Sequence, residues 1–176
     1  MVVWLAYAYW ACRLSMNIHT EPLSTESFKL FGDVLETEGT VPEIINHGHT
    51  RKFANLAGIT LAQGGQAQLS IYRSTAMQMP FRIRVMEQHP LGSQAFMPLH
   101  NRPFPVVVAL PDTIPGPETI RVFLTNGRQG VNIHPGVWHH YQLSLAEDSD
   151  YIVFDRGGPG QNCEEFHLEQ ALILDL

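Results

Sequence analysis

Lysine is nearly absent from this chain: two residues, Lys29 and Lys52, in 176. Nine Arg complete the bases, against 17 acids, for a formal charge of −6. That balance offers no basic face for a polyanion, which argues against a nucleic-acid partner. Net charge is low and 10% of residues are aromatic, which excludes an intrinsically disordered chain. No apolar run approaches the roughly 20 residues that a bilayer-spanning helix needs, so no membrane role is expected. No Gly-x-Ser-x-Gly nucleophile elbow occurs. Gly157-Gly158-Pro159-Gly160 lacks the Lys-Ser/Thr of a phosphate cradle and reads as a turn. What the chain does have is nine His, the side chain that titrates near neutral pH and binds metals.

Residues 1–15, MVVWLAYAYWACRLS, read unlike the rest. Val2 to Cys12 are apolar, but no base precedes them and Arg13 follows, the wrong charge order for a secretory signal. The expectation is a start-site overrun, with the domain running from Met16 to Leu176. That domain holds one cysteine, Cys163, so it forms no internal disulfide, which suits the cytoplasm.

One helix is expected, capped by Ser24, running from Thr25 to Phe31 and ended by Gly32. Beyond it, short β-branched and aromatic runs alternate with Gly, Pro and Asn. Phe81–Glu87 alternates with period two; Pro105–Leu110 is a continuous apolar run; Thr119–Thr125 and Tyr151–Asp155 are strand-like. Pro111–Glu118, with three Pro and one Gly, reads as an exposed connection. This spacing predicts one all-β domain, a sandwich or barrel.

Two segments carry candidate chemistry. Phe81, Ile83 and Val85 share one strand face, which reads as inward, and Arg82 and Arg84 share the other. Continued alternation sends Glu87 and His89 inward. A buried carboxylate must find a partner, a metal or a chemical task, because left alone it is strongly penalised. The alternative is that the strand ends near Met86 and both residues lie in a turn before Pro90. After the turn at Pro135-Gly136, Val137, His139, Tyr141 and Leu143 make the more apolar face, so His139 is expected inward and His140 outward. A lone inward His is usually a core residue; two, from separate strands, point to a site. His47, His49 and His167 lie in polar stretches and His100 in a loop, and Cys163 has no motif around it.

Glu87-x-His89, Gln94 five positions on, and His139 after Pro-Gly resemble the two metal motifs of the cupins in degenerate form. Glu87 stands where the first His would be, and Gln94 replaces Glu. The likeness favours a jelly-roll barrel over a metal. Still, Glu87, His89, Gln94 and His139 form a set that can hold a divalent ion such as Ni²⁺ or Zn²⁺.

The block Glu87-Gln88-His89-Pro90-Leu91-Gly92-Ser93-Gln94-Ala95-Phe96-Met97-Pro98-Leu99 resembles the hallmark of the ureidoglycolate lyases. Phe123–Gly127, Gln129–Asn132, Gly136–His140, Asp155–Gly158 and Phe31–Glu36 are similar to the same family. Tyr141 departs from the usual Pro, and residues 1–15 have no counterpart. The resemblance implies a cupin-like jelly-roll barrel, a homodimer, and a place in allantoin degradation, the nitrogen-salvaging end of purine metabolism. The implied reaction splits (S)-ureidoglycolate into glyoxylate and urea. It needs a base at the carbinol hydroxyl and an acid at the leaving nitrogen, expected to be His89 and His139 in either order. Glu87 is expected to orient an imidazole, Gln94 to bond the ureido group or a substrate oxygen, and Arg73 or Arg156 to hold the carboxylate. Competing readings are an amidohydrolase releasing ammonia from the same substrate, a metal-dependent cupin, and a non-catalytic cupin binding a small acid.

Overall fold

The computed structural model describes residues 17–176. The proposed overrun at residues 1–15 lies outside them. The chain begins with β1 (Asn17–Ile18), β2 (Thr20–Pro22), α1 (Thr25–Phe28), β3 (Gly32–Leu35), β4 (Glu43–Ile45) and β5 (Thr50–Lys52). Then come β6 (Gln66–Ser74), β7 (Phe81–Gln88), β8 (Gln94–Pro98), β9 (Pro105–Ala109) and β10 (Arg121–Leu124). The last are β11 (Gly130–Ile133), β12 (Trp138–His139), β13 (Ser149–Gly157) and β14 (Glu164–Leu174). The expected all-β class is what the structure has. A seven-stranded sheet in the order β1-β14-β7-β12-β9-β10-β2 faces a five-stranded sheet in the order β3-β11-β8-β13-β6, as in a cupin-like jelly roll. No described helix is long and apolar enough to cross a membrane.

The helix is shorter than its sequence suggests. Ser24 and Ser27 close a capping box, and the helix stops at Phe28. Gly32 does not end it; it opens β3. A Cβ there would stand 2.0 Å from the main-chain oxygen of Asn132 on the paired β11, so only glycine allows this approach.

The apolar run Val106–Ala109 serves two cores, which explains its continuity. Val106 and Val108 join Phe28, Phe96, Phe123, Val131, Tyr151 and Val153 between the sheets. Val107 and Ala109 join Ile83, Met86, Val122, Leu172 and Leu174 on the far side of the seven-stranded sheet.

That second core corrects two expectations. Ile83 and Met86, three positions apart, are fully buried in the same cluster, so strict alternation fails between them. The pairing of β7 with β14 slips at this point, between His167 and Leu172. Glu87 therefore lies on the face opposite Met86 and does not share the face of Ile83. His140 was expected to face outward; it is buried, packed edge-on against Phe81 at 5.4 Å. The side of the sheet away from His139 is a second core rather than solvent.

Candidate active site

The inward direction of Glu87 and His139 is fixed by register. His139 on β12 stands directly opposite Glu87 on β7 and Val108 on β9, and Val108 belongs to the core between the sheets. Residues directly opposite in a ladder share a face, so both polar side chains enter the inter-sheet space. Gln94, at the start of β8, enters from the other sheet, two positions before core residue Phe96. His89 follows β7 directly. The strand runs through Gln88, so the alternative in which it ends near Met86 is not what the chain does.

Glu87, His89 and His139 come together, each offering a ligand atom within 4.8 Å of the others. The two rings lie 5.1 Å apart between centroids. His139 is 1% exposed; its Nε2 is 3.6 Å from Glu87 Oε1 and 3.2 Å from Gln94 Oε1. Its Nδ1 donates to the main-chain oxygen of Val137 at 3.0 Å, which leaves Nε2 as a lone pair. His89 is pinned the same way, with Nδ1 against the main-chain oxygen of Asn162 and a buried Nε2 that has no hydrogen-bond partner among the described residues.

Burial dominates the electrostatics. It pushes the His139 pKa down to about 3, helped by neighbouring His89, so the ring is neutral near pH 7. Burial also pushes the His140 pKa down to about 4. The Glu87 carboxyl is raised by burial and by Glu165, and His89 opposes this. Burial and Asp155 raise the Tyr72 phenol, which stays protonated.

Two imidazole nitrogens, a carboxylate oxygen and the Gln94 amide, which hydrogen-bonds His139 Nε2, thus converge on one point. Such a set, its rings fixed by main-chain carbonyls, fits a divalent cation.

A cleft opens beside the cluster in two lobes that share Tyr72, His89 and Gln94. The larger, about 430 Å³, is also walled by Arg73, Glu87 and Tyr141. The smaller, about 270 Å³, adds Ser93, Asp155, Arg156 and Asn162. The two candidate arginines are not equivalent. Arg73 is exposed and gives Nε and Nη2 to Asp150 at 2.7 and 2.8 Å. Arg156 is buried and donates to the main-chain oxygens of Ala62, Pro159 and Gln63, while its Nη1 has no hydrogen-bond partner among the described residues.

Sequence reasoning passed over Tyr72, Asp155 and Asn162. Asp155 was legible: it continues the inward face of Tyr151 and Val153, the logic that singled out Glu87. Tyr72 and the Asn162 carbonyl carried no such signal.

The family model described as ureidoglycolate lyase matches residues 15–175. A protein of Pseudomonas paraeruginosa named ureidoglycolate lyase is 51% identical over 162 residues, 90% of this chain and 96% of its own length. One of the same name from Azotobacter vinelandii is 50% identical over 157 residues, covering 88% of this chain and 95% of its own length. One from Stutzerimonas stutzeri is 49% identical over 158 residues, covering 88% and 93%.

Proposed function

The chain belongs to the ureidoglycolate lyase family, and we propose that it splits (S)-ureidoglycolate into glyoxylate and urea in allantoin breakdown. It is an enzyme of the lyase class. The observation that carries the chemistry is the convergence of Glu87, His89 and His139 on one point beside a cleft.

The carbinol O–H of the substrate loses its proton, that electron pair forms the aldehyde carbonyl, and the C–N bond breaks toward nitrogen. The nitrogen takes one proton and leaves as urea, so water is not consumed. In this reading His89 takes the hydroxyl proton through Nε2, its free nitrogen. His139 and Glu87, 3.6 Å apart, form the couple that receives this proton from His89 and returns it to the leaving nitrogen. An imidazole whose pKa lies near 3 surrenders any proton it receives, as a donor to a weakly basic ureido nitrogen must. Gln94 holds a substrate oxygen. We place the substrate carboxylate with Arg73, whose Nη1 is free of the Asp150 pair, and give Arg156 the task of holding the wall of the smaller lobe. A divalent ion held by Glu87, His89, His139 and Gln94 would polarise the carbinol oxygen as a Lewis acid.

The same reading takes the enzyme as a homodimer in the cytoplasm. The first is supported by an exposed apolar row, Ile71, Ile152 and Met97, in register across β6, β13 and β8. The second is supported by Cys163, an exposed free thiol.

Purified protein given ureidoglycolate is expected to yield urea and glyoxylate in equal amounts. Free ammonia in place of urea would identify an amidohydrolase. No turnover, with or without added divalent ion, would overturn both enzymatic readings and leave a binding protein.

A further inference from the structure

Asp155 has no task in the chemistry above, yet it is placed where a carboxylate is expensive. On β13 it follows Tyr151 and Val153, both buried in the core between the sheets, and shares their face. Its partner across the ladder is Gln68 of β6, on the same face as Tyr72. The side chain thus enters the inter-sheet space and walls the smaller lobe with His89 and Gln94.

Its two oxygens are treated differently. Oδ2 accepts the hydroxyl of Tyr72 at 3.3 Å. Oδ1 is cut off from solvent and has no hydrogen-bond partner among the described residues. Neighbouring Arg156 lines the same lobe, but its guanidinium is spent on the main-chain oxygens of Ala62, Gln63 and Pro159 rather than on Asp155. A buried acceptor without a donor is strongly penalised unless a ligand supplies one.

We propose that Asp155 is the ureido-recognition residue of this site, accepting the parallel N–H bonds along one edge of the substrate's ureido group, with Tyr72 holding the carboxylate in position. The proposal rests on the ureidoglycolate reading and assigns the end of the substrate that the proton chemistry leaves unassigned. Two parallel N–H donors match a carboxylate as a guanidinium fork does. The terminal NH₂ distinguishes a ureido acid from an N-acyl acid of the same shape, in which a methyl group takes its place. A site built to bond that group leaves its own carboxylate unpaired against the methyl compound, the situation that yields strong discrimination. The lobe also borders His89, so a ureido group seated on Asp155 keeps the carbinol carbon beside the imidazole cluster.

Binding tests this without turnover. N-carbamoylglycine and N-acetylglycine are stable acids that differ only in NH₂ against CH₃, and calorimetry gives the affinity of each. Wild-type protein is expected to favour N-carbamoylglycine by at least about tenfold. Asp155→Asn should bring that ratio close to one. Tyr72→Phe, which keeps the ring, should narrow it by weakening the carbamoyl compound alone, and it serves if the Asn variant fails to fold. No preference in the wild type, or an unchanged ratio in a folded variant, overturns the proposal. A preserved preference in a protein that does not cleave ureidoglycolate would overturn the lyase reading and leave the ureido site standing.

Discussion

His89 and His139 face each other 5.1 Å apart between ring centroids, each with its Nδ1 bound to a main-chain oxygen. The backbone, rather than another side chain, holds Nδ1 of both rings, and His139 presents its Nε2 to Glu87 and Gln94. Replacing either ring by Ala removes a proton carrier and leaves the carbonyl that oriented it. His89→Ala and His139→Ala are each expected to lower kcat by at least ~10²-fold, a typical share for one general acid or base. Single-turnover rates on folded variants check this. Near-normal rates in both would sink the assignment.

The acceptor cluster predicts cation binding. Untagged protein is expected to carry about one divalent ion per chain by elemental analysis, and a strong chelator should remove it with loss of activity. Glu87→Gln should lower the metal content, because it replaces the one charged donor of the set. Full activity in chelated, metal-free protein would leave the cluster with proton chemistry alone.

Acid should destabilise the fold before it protonates the site. In the unfolded chain His139 and His140 titrate near 6.5, but in the folded chain at about 3 and about 4. Between those values the unfolded state holds more protons, so unfolding free energy rises with pH through the window. Above 6.5 both forms are neutral and these residues add no slope. Each contributes up to about 1.4 kcal/mol per pH unit below that point. Glu87, raised in the folded state, acts in the opposite sense, and its contribution fades as pH rises through its folded pKa. Urea melts from pH 7 to pH 5 should show falling stability, and His140→Gln should flatten the curve. An unchanged slope in that variant would mean that His140 is not kept neutral by burial.

Much of this was legible because strands advertise themselves through period two. Four segments read as strands correspond to β7, β9, β10 and the central part of β13, and the inward His139 followed from parity. Parity also set the limit. Glu87 was placed inward by continuing the face of Ile83, yet it arrives there because alternation breaks before Met86. A local slip of this kind depends on the neighbouring β14, which the sequence of β7 does not encode. His140 was misread because a strand pattern shows two faces but not whether both are covered. The Asn162 carbonyl that holds His89 comes from residues far along the chain and carries no side-chain signature.

The two candidate arginines should separate in kinetics. Arg73 lines the larger lobe from an exposed position, so Arg73→Ala is expected to raise KM about tenfold or more with little change in thermal stability. Arg156 ties Ala62, Gln63 and Pro159 together from a buried position, and Gly65 and Gly92 leave room for it. Arg156→Ala removes a buried side chain and the donor of three main-chain carbonyls, and should cost about 2–4 kcal/mol of stability. The reverse pattern, with Arg73→Ala silent and Arg156→Lys folded but deficient in KM, would move the carboxylate to Arg156.

The last prediction concerns a residue outside the cleft. Gly32 lies against β11, and a Cβ there would sit 2.0 Å from the Asn132 main-chain oxygen, which has no flexible end to move aside. Gly32→Ala must therefore push β3 and β11 apart. Ile133 of β11 stands opposite Gln94, and the chain continues from β11 through Pro135-Gly136 to His139. A displaced β11 thus moves two members of the cluster. The variant is expected to lose about 1–3 kcal/mol and to lose activity in the fraction that folds. Gly58→Ala is the control, since a Cβ there meets nothing within 4 Å, and it should change stability by less than about 0.5 kcal/mol. Equal melting temperatures for the two variants would show that the β3–β11 contact is softer than its geometry implies.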